Sequence, residues 1–246
     1  MHFSGTSILV TGAGSGIGLA TARHLAEHGA GRLILVDRNA QALESIDLPC
    51  EVVRATGDVA DPDFWTGLKL GELDHAVVNA GVAGVAPVTD MPFDEWRRVL
   101  SVNLDGAFLS LQAALRAMRD GGSIVCVASA AALKAEKGIG AYAASKAGLV
   151  QLARVAAKES ADRKVRVNVM APGGVETPMW ESEEFMARAA QVGRDRVFAD
   201  LAATGTPIGR FAKPEEIAAQ IAFLLTNETS GTVTGSVFLS DGGYLL

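Results

Sequence analysis

Seven short apolar runs punctuate these 246 residues, at 8–10, 33–36, 51–53, 76–78, 124–127, 165–170 and 237–239. Amphipathic stretches of helical length lie among them, at 16–28, 93–118, 142–160 and 214–225, the last opening on Pro214 with Glu215 and Glu216 in its first turn. Runs that stay apolar instead of alternating read as strands covered on both faces. Strands that alternate with helices in this way close into a parallel sheet with right-handed crossovers. Such sheets hold ligands beyond the carboxyl ends of their strands. The residues that directly follow each run are therefore the ones to read for chemistry.

After the first run stands Thr11-Gly12-Ala13-Gly14-Ser15-Gly16-Ile17-Gly18, with a helix opening at its end. Glycines let backbone approach a pyrophosphate, and a helix N-terminus offers free N–H groups and partial positive charge. Gly12, Gly16 and Gly18 are spaced GxxxGxG, one gap wider than GxGxxG, in the strand-loop-helix setting that a dinucleotide loop requires. The second run ends in Asp37, nineteen positions past Gly18, where an acid reaches the adenosine ribose hydroxyls. A carboxylate there repels the 2′-phosphate of NADP and so points to NAD; Arg38 beside it pulls the other way. Capping of the following helix is the structural alternative for Asp37. Asp58-Val59 follows the third run and Asn79-Ala80-Gly81 the fourth, both on the same predicted edge.

Tyr142 and Lys146 sit one helical turn apart and share a face. A free phenol titrates near pH 10, and a nearby ammonium favours the phenolate, which makes a usable acid/base. Ser129, after the fifth run, offers a hydroxyl to the same substrate oxygen, and Asn103 lies in the preceding long helix. An amphipathic helix edge with an extended lysine is the plain structural alternative for YxxxK.

Taken in order, TGAGSGIG, Asp37, Asp58, NAG from Asn79, Asn103, Ser129, YAASK and Pro172-Gly173-Gly174-Val175-Glu176-Thr177 resemble the short-chain dehydrogenase/reductase family in its short single-domain form, over nearly the whole chain. The resemblance implies an α/β fold: a Rossmann-type doubly wound parallel sheet of about seven strands with helices on both faces, one domain over 1–246. It implies that Tyr142 exchanges the substrate proton, Ser129 holds its oxygen, Lys146 binds the nicotinamide ribose, and Asn103 anchors a relay water. Gly12, Ser15, Gly16, Ile17, Gly18, Asp37, Asp58, Val59, Asn79, Ala80 and Gly81 would hold the rest of the cofactor, and Pro172, Gly173, Val175 and Thr177 its carboxamide end. Val78 departs from the family, where many members carry a second asparagine. The ending from Leu239 to Leu246 resembles the family segment for subunit contacts, which implies a homotetramer.

Composition excludes other classes. A formal charge of −6 with scattered Lys and Arg disfavours nucleic acid. No apolar run is long enough to span a bilayer, and the start is too short for a signal core, so a cytoplasmic protein is expected. Cys50 and Cys126 lie in or beside apolar runs as small hydrophobes, and the four histidines have no ligand spacing, so no metal is expected. Residues 178–210, with Met179, Trp180, Phe185, Met186, Val192 and Phe198, have the position and composition of a substrate lid, or of ordinary helix packing. With Ala130, Leu133, Gly84 and Val85 they suggest a small cyclic or medium-sized, largely apolar alcohol or ketone, although Lys134, Glu136 and Lys137 add charge. A 3-oxoacyl group on an acyl carrier protein, a polyol or sugar, and a nucleotide-binding scaffold without chemistry are the competing readings. The first wants NADPH and a basic docking surface, against which the turn Arg119-Asp120-Gly121-Gly122 and the net charge weigh.

Overall fold

Each apolar run becomes a strand: β1 (Ser7–Thr11), β2 (Arg32–Asp37), β3 (Glu51–Thr56), β4 (Leu73–Val78), β5 (Met118–Val127), β6 (Arg166–Pro172) and β7 (Val237–Ser240). The computed structural model describes residues 2–246, Thr204 through its backbone alone. All strands pair in parallel, in the order β3-β2-β1-β4-β5-β6-β7. The order reverses between β1 and β4, and the crevice at that reversal is where open α/β sheets bind ligands.

The helices are α1 (Gly16–Glu27), α2 (Ala40–Glu44), α3 (Pro62–Gly67), α4 (Phe93–Leu100), α5 (Gly106–Ala117), α6 (Gly140–Glu159), α7 (Glu183–Val192), α8 (Arg194–Gly205), α9 (Pro214–Leu225) and α10 (Asn227–Ser230). Side chains alternate across a strand, so the sheet feeds two cores. Leu9, Ile34, Ala76, Ile124 and Val167 meet Leu111, Ala114, Leu149 and Ala153 of α5 and α6. Ile8, Val10, Leu33, Val77 and Val125 meet Ala22, Leu25, Ile217 and Ile221 of α1 and α9. This two-sided burial explains why the inner strands read as unbroken apolar runs. The outer strands depart from it: β3 is mostly uncovered, and Phe238 and Leu239 of β7 are exposed.

Two further differences concern local geometry. The stretch expected as one helix over 93–118 is broken by a wider π turn at Ser101–Asp105, which contains Asn103. The expected turn at 119–122 lies within β5 as a bulge: Met118 pairs with Leu73, and pairing resumes at Ser123 opposite His75. Gly121 takes φ +80° there, and Arg119 turns out to meet Asp74 at 2.9 Å.

Residues 178–210 form a short 3₁₀ turn (Pro178–Trp180) followed by α7 and α8. They have a small core of their own, built from Phe185, Val197, Phe198 and Ala202 around Phe211.

Candidate active site

The loop after β1 is shaped by close packing. Gly12 adopts φ +66°, which a side chain would strain, and a Cβ on Gly18 would lie 2.1 Å from the Gly12 carbonyl. Ser15 precedes α1 in extended conformation and its hydroxyl makes no capping bond, so no side chain occupies the N–H groups of the first turn. Ile17 packs into the core below. A cradle of backbone N–H at a helix N-terminus, too tight for side chains, suits the pyrophosphate of a dinucleotide.

Asp37 holds this loop from the end of β2. Its Oδ2 accepts from the Gly14 N–H and its Oδ1 from the Asn39 N–H, both at 2.9 Å. The helix cap of α2 is Asn39, whose side chain accepts from the Ala42 N–H, so Asp37 is not merely a cap. Each carboxylate oxygen keeps a second lone pair for a ribose hydroxyl. Asp58 closes a turn onto the Ala60 N–H, while Val59 is buried in the core and its carbonyl accepts from the Trp65 indole.

Thr11 and Asn79 join β1 to β4 across the reversal. The Thr11 hydroxyl accepts from the N–H groups of Asn79 and Ala80, and the Asn79 amide donates to the Thr11 carbonyl at 2.9 Å. Sequence reasoning missed Thr11 and Gly14 as ties; the threonine that opens the glycine loop was the available signal.

Asn103, fully buried, accepts from the Val82 N–H at 2.8 Å and donates to the Val82 carbonyl at 2.9 Å and to the Ser145 hydroxyl at 3.2 Å. Ser145, also missed, donates in turn to the Tyr142 carbonyl at 2.7 Å. Lys146 is buried, and its Nζ donates to the Val127 carbonyl at 2.9 Å. A Cβ on Gly81 would stand 3.3 Å from both the Asn103 Oδ1 and the Lys146 Nζ, so glycine is what lets these groups face one space. The Tyr142 ring lies 5.9 Å from the Lys146 Nζ. Ser129 caps the 3₁₀ turn Ala130–Ala132, and its hydroxyl faces the Pro172 carbonyl at 3.5 Å.

Electrostatics depart from the sequence reading. Burial raises the Tyr142 phenol above its usual 10, opposed only by interaction with the Ser129 side chain; the lysine does not pull it down. Burial also lowers Lys146 to about 8. Cys126, buried beside it, is pushed up to about 12 and is inert, and Cys50 is likewise raised by burial.

The segment after β6 closes the site. A Cβ on Gly173 would clash with Asp241, and one on Gly174 with Phe211. Val175 bridges Ala212, and Thr177, buried, abuts Gly16. Of this segment, Pro172 faces Ser129 and Thr177 abuts the glycine loop at Gly16, while Gly173 and Val175 pack on Asp241 and Ala212. An apolar pocket of about 240 Å³, lined chiefly by Val88, Met91, Phe93 and Trp96, opens beside Gly140 and Ala141, just before Tyr142. A larger hollow of about 360 Å³ lies at the opposite end of the strands, around Asp74 and His75. Among the described residues no cluster could hold a metal ion, and no helix is long and apolar enough to cross a membrane.

A dinucleotide cradle and a phenol-ammonium pair on one edge of a doubly wound sheet define a nicotinamide-dependent oxidoreductase. Comparison with known proteins agrees. A family model described as enoyl-(acyl carrier protein) reductase matches residues 12–245. The chain is 38% identical to a 3-oxoacyl-[acyl-carrier-protein] reductase of Thermotoga maritima, covering 100% of both. It is 38% identical to cis-4-hydroxycyclohexanecarboxylate dehydrogenase of Sinomonas cyclohexanicum, over 96% of this chain and 95% of that one. A short-chain type dehydrogenase/reductase from Mycobacterium marinum superposes with TM-score 0.87 at 33% identity, over 99% of this chain and 96% of that one. The protein belongs to the short-chain dehydrogenase/reductase family.

Proposed function

We propose that this protein is an NAD-dependent dehydrogenase that interconverts a secondary alcohol and a ketone, with Tyr142 as general acid/base. The observation that carries the reading is that Asn103 and Lys146 both face Gly81, with the Tyr142 ring 5.9 Å from the Lys146 Nζ and Ser129 at the end of the neighbouring strand. A nicotinamide cofactor, when bound, would supply the hydride chemistry. The Tyr142 phenolate takes the hydroxyl proton during oxidation, and the phenol gives it back during reduction. The Ser129 hydroxyl holds the same oxygen. Lys146, fixed by Val127, binds the nicotinamide ribose. Asn103 fixes the loop at Val82 and anchors a relay water.

Asp37 supports NAD over NADP, because a carboxylate already bonded to the loop repels a 2′-phosphate at the same place. Ser15, Gly16, Ile17 and Gly18 would hold the pyrophosphate, Asp37 the adenosine ribose, and Asp58 and Val59 the adenine. Asn79, Ala80 and Gly81 would line the central crevice, and Pro172, Gly173, Val175 and Thr177 the carboxamide. The apolar pocket at the start of α6 and the exposed Leu133, Met179 and Trp180 support a small cyclic or medium-sized alcohol, under residues 178–210 as a lid on the single domain. The cis-4-hydroxycyclohexanecarboxylate dehydrogenase relative supports the cyclic class. Reduction of a carrier-bound 3-oxoacyl group is the second reading, favoured by the equally similar Thermotoga maritima relative. The free edge of β7, with Phe238 and Leu239 exposed, supports self-association, for which a homotetramer is proposed.

Initial rates with NAD and NADP over cyclic alcohols, polyols and hydroxyacyl thioesters test this. Turnover of cyclic secondary alcohols with NAD is expected. Activity confined to thioesters with NADPH overturns the reading in favour of the second one.

A further inference from the structure

The chain after β7 reaches three walls of the site at once. Asp241 backs Gly173 at the end of β6, and its carboxylate accepts from the N–H groups of Gly243 and Leu245, both at 2.9 Å. The Ile208 N–H, beyond α8, donates to the Gly242 carbonyl at 3.0 Å, which ties this tail to residues 178–210. Tyr244 closes the third side. Its carbonyl accepts from the Lys134 Nζ at 2.7 Å, and its ring lies 4.2 Å beneath the same ammonium.

Lys134 is five residues past Ser129, and its N–H bonds back to the Ala130 carbonyl in the 3₁₀ turn that Ser129 caps. From β5 its side chain crosses the end of β6 to reach the tail of β7. Ser129 faces Pro172 on that same strand end. Lys134 therefore lies on the same strand-end edge as Ser129 and Pro172, and the bond to Tyr244 restricts its side chain. An ammonium has three donors, and one is committed to Tyr244. Its charge is balanced by Glu136, whose Oε1 lies 3.8 Å away and whose carboxylate also faces the Tyr244 phenol.

We propose that Lys134, positioned by Tyr244 and charge-balanced by Glu136, is a specificity-determining residue that binds a neutral hydrogen-bond acceptor on the substrate, remote from the reacting carbon. A carboxylate in that place would meet Glu136 across the same ammonium, whereas a carbonyl or amide oxygen gains a charge-assisted hydrogen bond without repulsion. This inference rests on the proposed alcohol dehydrogenase activity and narrows its substrate class to alcohols with one neutral polar group opposite the carbinol.

Three cyclohexanols of nearly equal shape test it: those with 4-isopropyl, 4-carboxamide and 4-carboxylate substituents, assayed with NAD. In the parent protein the carboxamide is expected to have the lowest KM. Lys134→Met should raise that KM about ten-fold, the usual worth of one hydrogen bond to a charged group, with a small change in kcat. The ratio of kcat/KM between carboxamide and isopropyl compounds should then collapse, and Lys134→Arg should restore part of it. Tyr244→Ala should shift the same ratio in the same direction, and Tyr244→Phe much less, because the ring and carbonyl remain. Equal losses for carboxamide and isopropyl substrates overturn the assignment while leaving the dehydrogenase reading intact. A larger loss for the carboxylate overturns it in favour of an acid-binding site. No turnover of any of the three by the parent overturns the underlying activity and this inference together.

Discussion

Burial moves the phenol and the ammonium of the site in opposite directions on the pH scale, and both toward the uncharged state. Tyr142 is raised above 10, and Lys146 is lowered to about 8. Neither group is poised for acid/base work by its neighbour alone. In the proposed reaction a positively charged nicotinamide, when bound, would favour the phenolate by its field. The chain has two tyrosines, and Tyr244 is also raised, to about 12, by burial and by the Glu136 carboxylate. Both phenols therefore ionise later when folded than when unfolded. The stability they contribute is complete below pH 10 and is lost as the pH rises through their folded values. An absorbance titration of the cofactor-free protein should show two phenols titrating above 10, one of them missing in Tyr142→Phe. A phenol with pKa below 9 in the free protein would contradict this. The same variant should retain NADH binding, read by fluorescence, and lose about 10²- to 10⁴-fold in turnover.

At the scale of elements, the glycine loop is legible from sequence because its constraint is steric and local. A Cβ on Gly18 would lie 2.1 Å from one carbonyl and 2.7 Å from the Asn79 amide, two rigid neighbours. Gly18→Ala is expected to destabilise the fold by about 1–3 kcal/mol and to weaken NADH binding, measured by urea denaturation and fluorescence titration. Gly67, at the end of α3, has nothing within 4 Å of a built Cβ, so Gly67→Ala should be neutral or stabilise by up to about 1 kcal/mol. Equal effects at the two positions would contradict the packing argument. The inner strands and the Tyr142-Lys146 pair were equally readable, the first from two-sided burial and the second from helical spacing. Other features were not. The π turn that carries Asn103 is a change of hydrogen-bond register, and the residues Ser101–Asp105 have nothing that distinguishes them from α-helix. The bulge at 119–122 reads as a turn because Gly121 and Gly122 are turn residues; only pairing with β4 makes them strand. The sign of the Tyr142 shift depends on how deeply the ring sits, which spacing does not encode.

On the scale of the whole molecule, the sheet separates its two ends by role. The carboxyl ends of the strands carry the candidate chemistry, and the amino ends carry a half-buried histidine. His75, on β4, hydrogen-bonds the Ser123 hydroxyl at 2.9 Å, meets Phe3 edge-on at 5.5 Å, and lies beside the 360 Å³ hollow. Burial lowers it to about 4, Asp74 opposes that shift, and Arg166 and Arg119 add to it. The unfolded chain, with an ordinary value near 6.5, binds the proton first. Stability from His75 is therefore full above pH 6.5 and is lost as the pH falls toward 4. By linkage the loss is about 2 kcal/mol between pH 7 and pH 5. His75→Gln keeps a hydrogen-bonding group for Ser123 and removes the titration, so its stability should fall less steeply over that interval. Urea midpoints of both proteins at the two pH values measure this. His75 lies at the opposite end of the strands from the candidate site, so NADH affinity at pH 7 should be unchanged in the variant. Equal slopes would show that the acid sensitivity lies elsewhere, with the exposed carboxylates as the next candidates: Glu216 is held down to about 2 by Arg210, and its loss belongs to a lower pH range.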